Sequence, residues 1–261
     1  MFTMNNTLPA KNISFNLAFT NGNRARAVRV TAETDPEQIA RILGFQEPQP
    51  SIFISGGAGM MSETDKKMVD RILAEVAAFA EEKKAIIIDG GTESGIMQMV
   101  GDARQKSNYK FPLLGISPLG KVSFPGYKNP NEEAYLEDSH SHFVLVDAES
   151  WGDESRMIVQ LTHVLSGRGK MPAVGVLING GKIAMHEVYL ASTKDLKLAM
   201  IVLEGSGRAA DEISTAFRTG KTNQRILQAI LAGGDIQLVA TVEGPDAMRA
   251  KLNSRFKNNL S

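Results

Sequence analysis

Four short apolar runs in this chain each end in small, flexible residues, and that pairing is what could hold an anion. Ile52–Ser55 runs into Gly56–Gly57, and Ala85–Ile88 into Asp89–Gly90–Gly91–Thr92, with Gly95 just beyond. Ala173–Ile178 runs into Asn179–Gly180–Gly181, and Met200–Leu203 into Glu204–Gly205–Ser206–Gly207–Arg208. Apolar runs this short suit buried strands. Glycine lets the chain reverse sharply and lets a ligand approach the backbone. Where such a turn opens a helix, unpaired N–H groups and the helix dipole favour a phosphate. Ile96, Met97, Met99 and Val100 recur closely enough after Gly95 for a buried helix face, so the second turn reads as strand, glycine turn, helix. A single turn of this kind is often only a tight connection. Its recurrence is the signal, because all such turns lie on the carboxyl edge of an open parallel sheet, where ligands bind.

Side chains with chemistry of their own stand around these turns. Arg208 would open a helix, where a guanidinium grips a diphosphate bidentately. Its competing role is an ion pair with Glu204, Asp211 or Glu212. Thr92 offers a hydroxyl, and Pro118 closes the apolar run Leu113–Ile116 at the same edge. Asp89 could reach a ribose hydroxyl or cap its own turn. His140 and His142, two apart before a strand, would face one side. With Asp138 or Asp147 they could bind zinc; the plainer role is hydrogen bonding at the strand edge, and no metal is expected. Trp151, the only tryptophan, could stack on a base or cover the site, or simply pack. Met97, Met99, Met157 and Met171 read as core filler.

The elements that must position these residues alternate. Phe15, Leu17 and Phe19 alternate with polar residues, Asn21–Gly22 turns, and Ala25–Val30 returns: an N-terminal hairpin. Asp35-Pro36-Glu37-Gln38 starts a short helix, with Asp35 as cap, Pro36 at the first position and Gln38 completing a capping box; Gly44 stops it. Thr64 or Asp65 begins a long helix to about Glu82. Strands follow at Leu113–Ile116, His142–Val146, Ala173–Ile178, Met200–Leu203 and Ile236–Ala240, with helices between and a last one over Pro245–Phe256. Strand–helix alternation implies right-handed crossovers and a parallel sheet covered on both faces. The expected fold is thus α/β and Rossmann-like, a mostly parallel sheet with helices on both faces plus a small N-terminal hairpin. Residues 1–45 form the hairpin and short helix packed on a main domain of residues 46–261. Lys121–Asp138 reads as a long irregular connection, a kind that is often functional. Met1–Lys11 is polar and expected to fray.

Composition excludes several classes. The 261 residues carry 29 Lys+Arg and 29 Asp+Glu, a zero net charge that argues against a large electrostatic footprint for DNA or RNA. The absence of cysteine excludes disulfides, thiolate catalysis and cysteine metal sites. No apolar run approaches a membrane span, and the Asn/Thr-rich start is no secretory signal. A cytoplasmic protein is expected, with the sequons at Asn5 and Asn12 unused.

Six segments occur in order: ARAVRVTAETDPEQIARIL, ISGGAG, IIIDGGTESGIMQMVGDA, LLGISPLG, HSHFVLVD and VLEGSGRAADEI. Together they closely resemble the N-terminal cytosolic homology region of melastatin-type TRP channels, from about Ala25 to Ile213. That region belongs to the SLOG superfamily, with the Lonely-Guy phosphoribohydrolases and the Smf/DprA proteins. With no channel segment following, the chain looks like a free-standing, prokaryotic-type member. The resemblance implies a Rossmann-like fold binding nucleotide-derived ligands; in some of the channels this region binds ADP-ribose. Gly90, Gly91, Thr92 and Gly95 match the family's GGTxxG turn. Lonely-Guy enzymes carry PGGxGTxxE with a catalytic glutamate; setting Glu204 at the proline places Glu212 there, although EGSGRAADE departs from that pattern widely and follows the channel form.

The expectation is therefore an ADP-ribose-like ligand sensor. Gly56, Gly57, Gly90, Gly91, Thr92, Gly95, Pro118, Gly180, Gly181, Glu204, Gly205, Ser206, Gly207 and Arg208 form the ligand site. No cofactor, nucleic-acid polymer or membrane insertion is expected. By analogy the chain forms a homo-oligomer, a dimer or tetramer, and signals to an unidentified effector. The alternative is a phosphoribohydrolase acting on a nucleoside 5′-monophosphate through Glu212; a structural oligomer with a vestigial site is a third reading.

Overall fold

The structure, a computed structural model, describes residues 7–257. The expectations placed on Met1–Asn6 lie outside the described residues. From residue 7 onward the start is held rather than frayed: Asn12 N donates to Arg29 O at 2.8 Å, and Lys11 pairs with Asp147 at 2.7 Å.

The chain runs β1 (Ser14–Ala18), β2 (Arg24–Val30), α1 (Pro36–Leu43), β3 (Ser51–Gly57), α2 (Glu63–Lys83), β4 (Ile86–Asp89), α3 (Gly95–Lys106) and β5 (Leu113–Pro118). It continues through β6 (Val122–Ser123), β7 (Ala134–Tyr135), β8 (His142–Val146), α4 (Ser155–Leu165), β9 (Ala173–Asn179) and α5 (Lys182–Ala191). It ends with β10 (Ala199–Glu204), α6 (Arg208–Thr219), α7 (Arg225–Gly233), β11 (Ile236–Ala240) and α8 (Gly244–Lys257). Nine strands form one sheet in the order β1-β2-β8-β5-β4-β3-β9-β10-β11, with every pairing parallel except the β1–β2 hairpin. The hairpin extends the main sheet through β2, which pairs with β8. This is a Rossmann-like α/β fold, as expected.

Both faces are covered, which is why the strands read as unbroken apolar runs rather than alternating ones. Helices α2, α3 and α8 pack on one face, with Val69, Ile72, Val100 and Leu252 wholly buried. Helices α1, α4, α5, α6 and α7 cover the other, with Ile39, Val159, Val188, Ile213 and Ile230 wholly buried. Burying each such side chain contributes about 1.5–3 kcal/mol. A third cluster packs Leu119, Val122, Phe124 and Leu136 against Leu17, Phe143 and Leu145.

Three local expectations need correction. Asp35 does cap α1, accepting from Glu37 N at 3.1 Å, and Gly44 closes it at φ 95, but no reciprocal bond from Gln38 is formed among the described residues. The cap of α2 is Ser62, which accepts from Asp65 N at 3.1 Å, so the helix starts a residue earlier than Thr64. The stretch 121–138 is also built rather than irregular. It holds the parallel pair β6–β7, and Asn129, 4% exposed, donates from Nδ2 to Leu119 O at 2.8 Å.

Candidate functional site

Reading outward from β3, the strand order climbs β4, β5, β8 in one direction and β9, β10, β11 in the other. The reversal lies between β3 and β9, and a sheet of this kind opens a crevice where its order reverses. A cleft of about 520 Å³ lies there, lined by Ser55, Gly56 and Gly57 at the end of β3, Gly90 and Thr92 after β4, and Gly180 and Gly181 after β9. Gly56 is what permits it: at φ 135, a Cβ would stand 1.9 Å from Ile178 O on β9.

Helix starts converge on the same space. Met97 of α3, Lys182, Ile183 and Ala184 of α5, and Arg208 of α6 all line it. No side chain caps α3, α5 or α6, and α3 and α5 carry no acidic residue in the first turn. Helices α1 and α2 begin elsewhere and have side-chain caps. The first amides of an uncapped helix have no intrahelical acceptor, so those at the cleft can meet a guest anion, except Ala209 N–H of α6, which donates to Gly180 O at 3.3 Å.

Arg208 takes none of the ion pairs that compete for it. Glu204 is held bidentately by Arg218 at 2.6 Å, Asp211 accepts from Gly205 N at 2.6 Å, and Glu212 meets Gln224 Nε2 at 3.5 Å. The Arg208 guanidinium has no hydrogen-bond or ion-pair partner among the described residues. It lies over Gly181, where a Cβ would come within 2.6 Å of Nη2. Its backbone, at φ 45, is in the left-handed region, which costs a non-glycine residue of order 1–3 kcal/mol and clusters at functional sites. Lys182, likewise without a partner among the described residues, stands beside it and was not singled out from sequence.

The remaining expected residues divide by position. Gly91 packs against Gly115 and the Phe143 ring, and Gly95, at φ 58, lets the start of α3 abut Ala58. Pro118 is buried at the end of β5. Glu204, Gly205, Ser206 and Gly207 stand outside the cleft lining and brace it: Ser206 Oγ accepts from Asn179 N at 2.7 Å and donates to Leu203 O at 2.6 Å. Asn179 is the hub there. It sits at φ 52, donates from Nδ2 to Gly59 O at 2.7 Å, and keeps its buried Oδ1 unpaired among the described residues. Glu212 is exposed and lies outside this cleft.

Two acids that sequence reasoning missed do line it. Glu187 of α5 is 6% exposed and accepts hydrogen bonds from Ser55 and, at 3.0 Å, from Ser155. Burial pushes its carboxyl up to about 7 despite those two donors. Glu154, just before α4, is raised to about 7 by burial and by the charges of Glu187 and Asp153, against the Gly152 N–H that donates to it at 2.8 Å. Both are therefore poised near neutrality, where a group can give or take a proton. Trp151 lines the cleft beside them, its Nε1 donating to Glu133 Oε2 at 2.7 Å.

The two histidines part company. The His142 ring packs tilted against Phe45, centroids 4.8 Å apart, and is lowered to about 4 by burial and by Arg26 and Arg104. His140 is wholly buried between Glu137, 2.6 Å from Nδ1, and Asp89, 2.9 Å from Nε2. Burial alone would lower it, but the two carboxylates prevail and hold it near 9. Asp89 also accepts from Gly91 N at 2.7 Å, so its role is to fix the glycine turn. No group of three metal-ligating side chains that could hold an ion occurs among the described residues.

Fold and cleft together define a Rossmann-like α/β domain with a crevice at its switch point. The chain matches the family model described as "SLOG in TRPM, prokaryote" over residues 49–250, and it belongs to that family. Among curated relatives it is 27% identical over 228 residues to transient receptor potential cation channel subfamily M member 1 of Mus musculus, covering 75% of this chain. It is 28% identical to subfamily M member 7 of Homo sapiens over 72% of this chain, and 29% identical to subfamily M member 2 of Rattus norvegicus, also over 72%. The matches span only 14%, 12% and 15% of those channels. A structural-genomics X-ray structure aligns at a TM-score of 0.49 and 18% identity, covering 78% of this chain and 99% of that one. No helix among the described residues is long and apolar enough to cross a membrane.

Proposed function

We propose that the cleft binds a nucleotide-derived ligand of the ADP-ribose type, and that the protein senses it. The observation that carries this reading is Arg208: an unpaired guanidinium on a left-handed backbone, beside Lys182 and the uncapped starts of α5 and α6. Phosphate oxygens would take the free amides and both cations, and the ribose hydroxyls would meet Glu154 and Glu187 deeper in. No cofactor is required. Occupancy would be felt in the stretch 121–138, which is stitched to the glycine turn by Glu93 N to Tyr135 O at 2.8 Å and Glu137 N to Gly91 O at 3.0 Å, and to Trp151 through Glu133. A change in self-association is a second route of output.

The alternative, hydrolysis of the N-glycosidic bond of a nucleoside 5′-monophosphate, moves from Glu212 to Glu154 and Glu187. Two acids raised to about 7 inside the cleft favour it. Water would add to C1′ as the C1′–N bond breaks, the water proton ending on the departing base. One experiment separates the readings. With ADP-ribose at a hundred times its Kd, the protein gains about 2.7 kcal/mol of stability, read as a raised Tm, and the ligand is recovered intact. Arg208→Ala should abolish most of that shift. Release of free base from AMP, stopped by Glu154→Gln, would make the protein a hydrolase instead.

A further inference from the structure

Strand β11 ends the nine-stranded sheet, and among the described residues no strand pairs with its outer side. Met200 N donates to Asp235 O at 2.8 Å, so the odd-numbered residues of this stretch face β10. In a parallel ladder the alternate residues turn both N–H and C=O the other way. Ile236, Leu238 and Ala240 therefore point their backbone groups outward. Ala240 N is already taken, donating to Glu243 Oε2 at 2.7 Å. Ile236 and Leu238 are left with two donors and two acceptors at an open edge. Folded proteins guard such edges with charges, proline or bulges. The strand IQLVA carries neither charge nor proline, and its register on β10 is unbroken.

A groove of about 590 Å³ runs along this edge. On one face Phe217, near the end of α6, is 45% exposed beside Ile236 and Leu238. On the other face Gln237 Oε1 is buried without a partner, and Lys251 of α8, in the same groove, has none among the described residues. Asp235 stands two residues from Gln237 on that face, its side chain 62% exposed.

We propose that this edge is a self-association surface: a second copy adds its own β11 in the antiparallel sense, about a twofold axis at Gln237. The free groups choose the register. With Gln237 opposite Gln237 of the partner subunit, Ile236 exchanges both backbone bonds with the partner's Leu238, and Leu238 with the partner's Ile236. Those four bonds use every free group on the two residues and leave Ala240 N to Glu243. An axis at Leu238 would instead set Ile236 against an Ala240 whose donor is spent. The facing glutamines form a non-hydrogen-bonded pair, the closer kind, with Cα atoms about 4.5 Å apart. An amide both donates and accepts, so each orphaned Oε1 gains the other's N–H. Lys251 lies diagonally across from the partner's Asp235, a spacing that long side chains bridge, so the charges complement each other. The two Phe217 rings cover the paired Ile236 and Leu238. An edge that pairs with itself closes as a C2 dimer, whereas pairing β11 with β1 of another copy would run on as an open filament. None of this depends on what the cleft binds.

Sedimentation velocity on the whole chain should show a reversible monomer–dimer equilibrium with no larger species. Gln237→Lys should weaken the dimer about tenfold, because like charges then face each other on the axis. Mixing Gln237→Lys with Gln237→Glu should restore it, which a misfolded variant could not do. The chain has no cysteine, so Gln237→Cys treated with a mild thiol oxidant should link two chains through a disulfide, the Cα spacing being suitable. Val242→Cys, 88% exposed just past the strand, should not. A protein that stays monomeric at hundred-micromolar concentration would overturn the proposal. So would a dimer that Gln237→Lys leaves unweakened, or equal cross-linking at the two positions.

Discussion

His140 holds two carboxylates together in a space with no solvent. With Asp89 and Glu137 both in hydrogen-bond range of its ring, the imidazole carries a proton and balances charge that would otherwise be buried alone. Removing one partner of such a buried set typically costs about 3–5 kcal/mol, because the charge left behind has neither water nor a counter-ion. His140→Gln should therefore lower the urea unfolding free energy at pH 7 by about that amount. It should also loosen the turn that Asp89 fixes through Gly91 N. A loss below about 1 kcal/mol would mean the ring is not charged in the fold. None of this was legible from the spacing of His140 and His142. Residues two apart share a face only within a strand, and β8 begins at His142, so His140 turns away into a different environment. Glu154 and Glu187 were invisible for a related reason. Nothing in the sequence near either residue marks it as buried, and Ser55, which meets Glu187, is 132 residues away.

At the level of elements, the last two residues of β3 have opposite duties. Gly56 lies against β9 with φ 135, and a Cβ there would overlap Ile178 O. Gly57, its neighbour, has nothing within 4 Å of a built Cβ and lines the cleft. Gly56→Ala should push β3 and β9 apart at the centre of the sheet and cost several kcal/mol, the scale of overpacking combined with a forbidden backbone. Gly57→Ala should fold with a nearly unchanged Tm and bind ligand more weakly. Thermal melts and the ADP-ribose shift on both variants decide it; equal destabilisation would show that Gly57 too is only a packing glycine. The sequence made these strand–glycine–helix units readable because the signals are local: an apolar run, a turn, a helical period. Caps were legible at Asp35 and Gly44 for the same reason. The stretch 121–138 was not, since its two short strands exist only against Gly91, Thr92 and the third core cluster.

For the whole molecule, the cleft exists because the strand order reverses between β3 and β9, and that order appears nowhere in the chain taken piece by piece. Its acids in turn leave a mark on global stability. Glu154 and Glu187 are raised from 4.5 to about 7, so the folded protein keeps protons that the unfolded chain releases. Their contribution is complete below about pH 4.5 and is lost as pH rises through about 7. His140, raised from 6.5 to about 9, contributes fully below pH 6.5 and loses its share as pH rises through about 9. The two slopes have the same sign. Asp147, lowered by Arg29 and Lys11 although burial opposes them, acts the other way in stronger acid, and His142, lowered by burial from 6.5 to about 4, acts the other way between those two values and offsets part of the cleft acids' slope there. Stability should thus decline from pH 5 to pH 9, less steeply below about pH 6.5, each cleft acid contributing on the order of 3 kcal/mol before solvent relaxation reduces it. Glu187→Gln should flatten the lower half of that decline and leave the upper half, which belongs to His140. Urea midpoints at half-unit pH intervals read both halves. A wild-type curve that rises across the window, or a Glu187→Gln curve of undiminished lower slope, would show that the cleft acids titrate as exposed carboxylates. The case for a ligand site at the switch point would then fall back on Arg208 and the helix starts alone.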